Sequence, residues 1–220
     1  MEVLGDVRVS GARGPVPALR RRSLELVTLL ALRPGLSEVA VSEALWPEEM
    51  PGPRQRQRRN EYMRVARRWL GDDPVTGRPH VALVAGAGGY RLEGVGCDLE
   101  MWRAQVGDPH ATQLEVLLAA LAGVRGRPLS GLDVGMWEWA QAIKSAVCLE
   151  VAQVAWTTCV RAAEAGEWTG ARLAAETGVM CDPSSPRLWR AAVRTADRCE
   201  GPAAADQVRR RARAALATVA

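Results

Sequence analysis

Pro53 to Gly71 reads PRQRQRRNEYMRVARRWLG and carries seven arginines (Arg54, Arg56, Arg58, Arg59, Arg64, Arg67, Arg68) against a single acid, Glu61. Proline fits the first turn of a helix, where its missing N–H has no partner to lose. Glycine fits the residue just past the last turn. Between them Tyr62, Met63, Ala66, Trp69 and Leu70 recur at the spacing of one buried helical stripe. At about 100° per residue, the face opposite Ala66 carries Gln57, Asn60, Glu61, Arg64 and Arg68, with Arg54 and Arg67 toward its edges. One side of such a helix docks on a core while the other offers guanidinium and amide groups. Those groups match phosphate oxygens and the base edges of a DNA major groove. A solvated basic helix has the same pattern, so the flanking sequence decides between the two.

The chain of 220 residues is long enough for one large domain or two small ones, each with its own core. No apolar run approaches the length that crosses a bilayer, and no basic leader precedes an apolar stretch, so a soluble cytoplasmic protein without a membrane segment is expected. The five cysteines (Cys97, Cys148, Cys159, Cys181, Cys199) never form C-x-x-C and are expected as small core residues in a reducing compartment rather than as disulfides or metal ligands. The net charge is +4, and the 15 arginines and 11 acids of residues 1–96 account for all of it, because residues 97–220 balance 14 basic against 14 acidic side chains. A polyanionic partner is therefore expected for the first half.

Going outward from the basic helix, Glu2 to Val9 is expected as two short strands broken at Gly5-Asp6, and Pro15 to Leu19 as a third. Arg20 to Arg33 has a helical pattern, apolar around most of its circumference, and Pro34-Gly35 ends it. Ser37 suits the N-cap of a second helix over Glu38 to Trp46, followed by the acidic loop of Pro47 to Gly52. Beyond the basic helix, His80 to Ala85 and Tyr90 to Leu92 would pair as a hairpin around Gly86–Gly89. Two helices joined by a short loop and followed by a hairpin is the layout of a winged helix-turn-helix, whose last helix enters the major groove.

These residues resemble a family. LRPGLSEVAVSEALWPEE, RRNEYMRVARRWLG, GGYRLE and CDLEMW are similar to the winged-helix part of the Streptomyces antibiotic regulatory protein type of activator, a fold shared with OmpR-type response regulators. The resemblance covers about residues 1–105, and its strongest pieces are Ala44-Leu45-Trp46, Arg67 to Gly71 and Gly89 to Leu92. It implies that residues 54–70 form the recognition helix, that 75–92 hold the wing, and that the 47–53 loop can touch RNA polymerase. Two residues depart from the family pattern. Arg59 stands near the centre of the buried stripe, where its stem would cover core surface while its head reaches out. Glu61 stands on the outward face, where it would repel phosphates or accept from a cytosine amino group.

From His110 the chain turns to alanine-rich helical patterns: Thr112 to Val124, Met136 to Ala165 as one long helix or two close together, Thr169 to Met180, Ser185 to Cys199 and Ala203 to Val219. Helix pairs with small residues at close-packing positions are TPR-like, although the repeat consensus is not met cleanly. GVRGRPLSGL, WEWAQAIKSAVCLEVAQVAW and AGEWTGARLAAETGVMCDPSSPRLWRAAVRTADRCEG resemble the bacterial transcriptional activator domain, the helical partner of the same winged helix. That resemblance implies dimerisation or polymerase contact through the helical part. Trp137, Trp139, Trp156, Trp168 and Trp189 are expected as core and interface anchors rather than a ligand cage, and Arg209, Arg210, Arg211 and Arg213 as a solvated face.

No catalytic constellation is expected. His80 and His110 fall in a strand and a linker with no metal-ligand spacing, no G-x-S-x-G or P-loop occurs, and Gly86 to Gly89 precede a strand rather than a helix. The expected fold is thus an α+β winged helix-turn-helix over residues 1–96 followed by an all-α, TPR-like domain over 97–220. The expected function is that of a non-enzymatic transcriptional regulator, an activator that needs no cofactor or metal. Its partners would be double-stranded DNA, RNA polymerase and a second copy of the chain. Arg54, Arg56, Arg58, Asn60, Arg64, Arg67, Arg68 and Arg78 form the candidate DNA-binding set. Asn60 and Arg64 would meet base edges; Arg54, Arg67, Arg68 and Arg78 would meet phosphates. The alternative is a protein- or ligand-interaction module that keeps the winged-helix fold, as part of a larger multidomain bacterial protein.

Overall fold

Helix α1 (Arg20–Leu32) forms the centre of the first unit: Leu26, Val27, Leu29 and Leu30 are buried on one side, and Ser23, Glu25 and Thr28 are buried as well. The structure, a computed structural model, describes residues 1–18, 20–84, 89–131 and 137–217. The chain divides into two compact units, one of residues 1–3, 7–98 and 131–142, the other of residues 4–6, 99–130 and 143–220. Two short stretches are thus exchanged relative to a single cut after residue 96. Leu4 and Gly5 belong to the second unit through Arg125 N donating to Leu4 O (2.9 Å) and Ser130 N to Gly5 O (3.0 Å). Trp139 belongs to the first through its indole N–H, which donates to Glu25 Oε1 at 3.3 Å.

In the first unit, strand β1 (Leu36–Ser37) leads into α2 (Glu38–Leu45), and Ser37 Oγ caps α2 by accepting from Ala40 N at 3.1 Å. Helix α3 (Pro53–Leu70) follows, then strands β2 (Val81–Val84) and β3 (Gly89–Leu92). The three strands form an antiparallel sheet in the order β1-β3-β2, with Leu36 opposite Tyr90 on one side of β3 and Val81 opposite Leu92 on the other. Val81 and Leu83 lie on the same face of β2, and burial ends between them: Val81 is buried while Leu83 is exposed. Both α1 and α2 pack on α3, and α1 also packs on β3. Most of the expected Gly86–Gly89 turn lies outside the described residues.

Two expectations need correction. Glu2 to Val9 does not form two strands; one isolated bridge joins Glu2 and Arg8 through a pair of backbone hydrogen bonds at 2.9 and 3.0 Å. Residues 15–18 form no strand either, since Pro15 and Pro17 have no N–H to give a ladder. The chain is anchored there instead by Gly14 N, which donates to Trp69 O at 2.9 Å. The third strand is Leu36–Ser37, too short to show any periodicity.

The second unit is built of helices: α4 (Asp98–Val106), which sequence patterning did not single out, α5 (Leu114–Ala122), α6 (Glu138–Glu164), α7 (Trp168–Cys181), α8 (Pro186–Glu200) and α9 (Pro202–Ala217). The α6 stretch is one continuous helix, whose first five residues count with the first unit. Helix α8 packs on both α7 and α9, and α5 packs on α7. The α7–α8 approach depends on Gly178: a β-carbon there would lie 2.7 Å from Leu188 Cδ2. Cys97, Cys148, Cys159 and Cys181 are buried as expected, whereas Cys199 is exposed and its thiol donates to Trp168 O at 3.3 Å. Among the described residues no helix is long and apolar enough to cross a membrane.

Two predictions follow from buried positions of the first unit. A β-carbon on Gly14 would fall 1.8 Å from Arg68 O, backbone that cannot step aside without unseating the end of α3. Gly14→Ala should therefore cost about 1–3 kcal/mol in urea unfolding, while Gly96→Ala, with nothing within 4 Å, should stay near the parent. Burial pushes the Glu25 carboxyl above its ordinary value, only partly offset by its hydrogen bonds with Arg22 and Trp139. A raised folded value means that the folded chain holds this proton more tightly than the unfolded chain does. Its contribution is fully present below the ordinary value and is lost as pH rises through the folded one. Glu25→Gln should accordingly raise Tm more at pH 7.5 than at pH 4.

Candidate nucleic-acid interface

Which residues α3 presents outward is set by what it buries. Gln55, Arg59, Met63, Ala66, Trp69 and Leu70 form the inward stripe, spaced by threes and fours. Its two polar members both bond to neighbouring segments, although Arg59 Nε is buried without a partner. Gln55 Nε2 donates to Glu49 O at 3.3 Å, tying the helix to the acidic loop before it. Arg59, only 4% exposed, does not send its head out to solvent as its position in the sequence suggests. Its Nη2 donates to Glu38 Oε2 at 2.5 Å, and its Nη1 to Glu38 O at 3.2 Å and Ser42 Oγ at 3.4 Å. A buried guanidinium without such an anion would cost several kcal/mol, so the first turn of α2 supplies the counter-charge that lets α3 sit as it does.

The outward face consists of Arg54, Arg56, Gln57, Arg58, Asn60, Glu61, Arg64 and Arg68, all exposed. Their electrostatics divide them. Arg58 lies over the Trp46 ring, 5.5 Å from its centroid, and pairs with Glu49. Arg64 grips Glu61 with two hydrogen bonds, Nε to Oε2 at 3.1 Å and Nη2 to Oε1 at 2.7 Å. The Arg64 hydrogen bond holds the Glu61 carboxyl below the usual carboxylate range, and Glu61 in turn strengthens the hold of Arg64 on its proton. Glu61 is thus the resident partner of Arg64, an exposed pair of the kind that water and salt open readily. Asn60 Oδ1 accepts from Arg59 Nη2 at 3.3 Å, which orients its amide N–H group away from the core. Arg67, half-buried, donates from Nε to Val81 O at 3.2 Å and so fastens α3 to β2 rather than standing free for phosphate.

Among the described residues, the guanidinium groups of Arg54, Arg56, Arg68 and Arg78 have no hydrogen-bond or ion-pair partner within the protein. Arg78 is exposed beside the turn whose Asp73 carboxyl is held below its usual range chiefly by the Val75 backbone N–H, at 2.8 Å. The first turn of α3 has no acid, and its N-cap, Gly52, provides no side-chain acceptor. Arg54 and Arg56 therefore sit at the positive end of the helix dipole, an unfavourable placement by about 0.3–1 kcal/mol each. An anion bound there would reverse the sign of that term.

The structure thus brings seven of the eight candidate residues to α3, leaves Arg78 in the loop before β2, and separates Arg67 and Arg58 from the unpartnered set. Sequence reasoning missed a neighbouring feature. Pro15, Val16 and Pro17 form one wall of a groove of about 390 Å³ whose other wall is Tyr62, Val65 and Arg68. The closely spaced prolines were the one available signal. No protein-family model matches the chain, and none of the curated proteins matches it.

Because Arg67 is a fastener, Arg67→Ala should lower stability by about 1 kcal/mol, measured by urea unfolding. Arg54→Ala, removing an unpartnered group, should stay within about 0.5 kcal/mol of the parent.

Proposed function

We propose that the protein is a DNA-binding transcriptional regulator of the activator type, with α3 as its recognition helix, β2 and β3 as the wing of a winged helix-turn-helix, and a TPR-like helical unit that meets RNA polymerase or a second copy. The observation that carries this proposal is the set of guanidiniums on α3 without a hydrogen-bond or ion-pair partner among the described residues, two of which, Arg54 and Arg56, stand at the positive end of the helix dipole. Arg54 and Arg68 lie about 21 Å apart along the axis at ~1.5 Å per residue, more than the roughly 12 Å width of a major groove. A helix laid in that groove would therefore set its end arginines against phosphates on either side. Asn60, Gln57 and the Arg64 side chain, once released from Glu61, would then face base edges. The resemblance to the winged-helix activators supports the same assignment, including polymerase contact by the 47–53 loop. Here that loop is tied to α3 twice, through Gln55 and Arg58.

Binding should be measured on fragments selected from the source genome. With about four phosphate contacts, the observed constant should fall with a log–log salt slope of about −3 to −4. Arg54→Ala/Arg68→Ala should weaken binding at least about tenfold and flatten that slope by roughly two. Parent-like binding by the double variant would remove the recognition-helix assignment. A flat salt dependence would favour the interaction module instead.

A further inference from the structure

The second unit has its own concentration of unbalanced positive charge, independent of α3. Helix α8 carries Arg187, Arg190 and Arg194 at spacings of three and four, which places them on one face, and all three are exposed. This face borders a groove of about 180 Å³ whose other wall is Trp156, Cys159 and Val160 of α6. No carboxylate lines the groove. Among the described residues none of the three guanidiniums has a hydrogen-bond or ion-pair partner. Two are nevertheless held in place by aromatic faces: Arg187 lies over Trp156 at 5.3 Å from the ring centroid, and Arg194 over Trp168 at 5.9 Å. An indole beneath a guanidinium limits its rotamers without using its N–H donors, so the fork stays available and less entropy is lost on binding. Cys159 brings no negative charge, because burial pushes its thiol up.

Trp156 and Arg187 also border a larger cleft of about 650 Å³, lined besides by Trp102, His110, Gln153 and Glu150. Glu150 is neutralised there by Arg103, which grips it with hydrogen bonds of 2.7 to 3.1 Å. The loop forming one side of the cleft is pinned by Arg161 Nη1, which donates to Pro109 O at 2.6 Å and Thr112 O at 2.7 Å. The Trp102 indole nitrogen is buried without an acceptor. A cationic groove thus opens into a pre-formed polar cleft, with an aromatic side chain at the junction.

We propose that this α6–α8 groove binds the diphosphate of a small phosphorylated molecule through Arg187, Arg190 and Arg194. Arg187 and Arg194 are about 10 Å apart along the helix at ~1.5 Å per residue. A single phosphate would be reached by two of the three arginines at most, while a diphosphate can be reached by all of them. Free pyrophosphate and a nucleoside diphosphate are the two sources of this anion, and the adjoining cleft has room for the body of the second.

The test is calorimetric titration of the full chain with pyrophosphate and, separately, with ADP at low salt. Saturable one-site binding of either is expected, with ADP the tighter ligand if the cleft takes a nucleoside and pyrophosphate at least equal to it if the free anion is the ligand. Arg190→Glu should weaken binding at least about tenfold, while Arg210→Glu, the same charge change on exposed α9, should leave it within about twofold. Equal thermal unfolding of the two variants would show that both are folded; if Arg190→Glu unfolds early, Arg190→Ser provides the same comparison with a milder change. No saturable binding of either probe, or equal losses in the two charge reversals, would overturn the proposal. So would displacement of pyrophosphate by duplex DNA in the Arg54→Ala/Arg68→Ala background, which would make the groove a nucleic-acid surface. Failure of DNA binding through α3 would leave the pyrophosphate result unchanged, so the two assignments stand or fall separately.

Discussion

The ion pair between Arg59 and Glu38 sets the orientation of the basic helix. A guanidinium buried in the middle of a helix–helix contact is tolerated only where an anion and further acceptors meet it. Glu38 provides both, through its carboxylate and its own backbone carbonyl. The same carboxylate accepts from the Tyr90 hydroxyl at 3.4 Å, so one side chain at the start of α2 ties α3 to β3. A rotation of α3 by one residue would bury Asn60 or Arg58 in place of Arg59 and leave Glu38 without its cation. The outward direction of Arg54, Arg56, Arg64 and Arg68 is therefore a consequence of what happens on the opposite side of the helix.

The same principle of using or sparing charge organises the rest of the surface. Arginines whose donors are satisfied internally act as fasteners: Arg67 to the β2 backbone, Arg161 to the loop before α5, Arg103 to Glu150. Among the described residues, two sets without acceptors share a helix face, one on α3 in the first unit and one on α8 in the second. A folded chain with a net charge of only +4 has enough acids to pair far more of its 29 basic residues. Leaving two helix faces uncompensated concentrates positive potential where a polyanion or a phosphorylated ligand can use it.

Much of this was legible in the sequence, and the exceptions have physical causes. Pro53 and Gly71 delimit α3 because each has a backbone reason to stand where it does, and Ser37 marks the start of α2 for the same kind of reason. The outward set on α3 follows from the 3.6-residue period alone. Partnerships across the fold do not follow from it. Nothing local to Arg59 indicates a carboxylate 21 residues earlier, and nothing local to Arg67 indicates the Val81 carbonyl. β1 escaped notice because two residues carry no alternation, while Glu2 to Val9 has the alternation but makes only isolated bridges, Glu2 with Arg8 and Asp6 with Ser130. The α8 arginines carry no local signal, because Trp156 and Trp168 come against them only on folding.

The central claim is that α3 divides its arginines between an inward anchor and an outward anion-binding face. Arginine side-chain NMR during titration with duplex DNA tests it directly, because each Nε–H reports its own environment. The account predicts that the Arg54, Arg56 and Arg68 resonances shift with DNA while that of Arg59 remains where it is. A moving Arg59 signal, or outward arginines that do not respond to DNA, would contradict it.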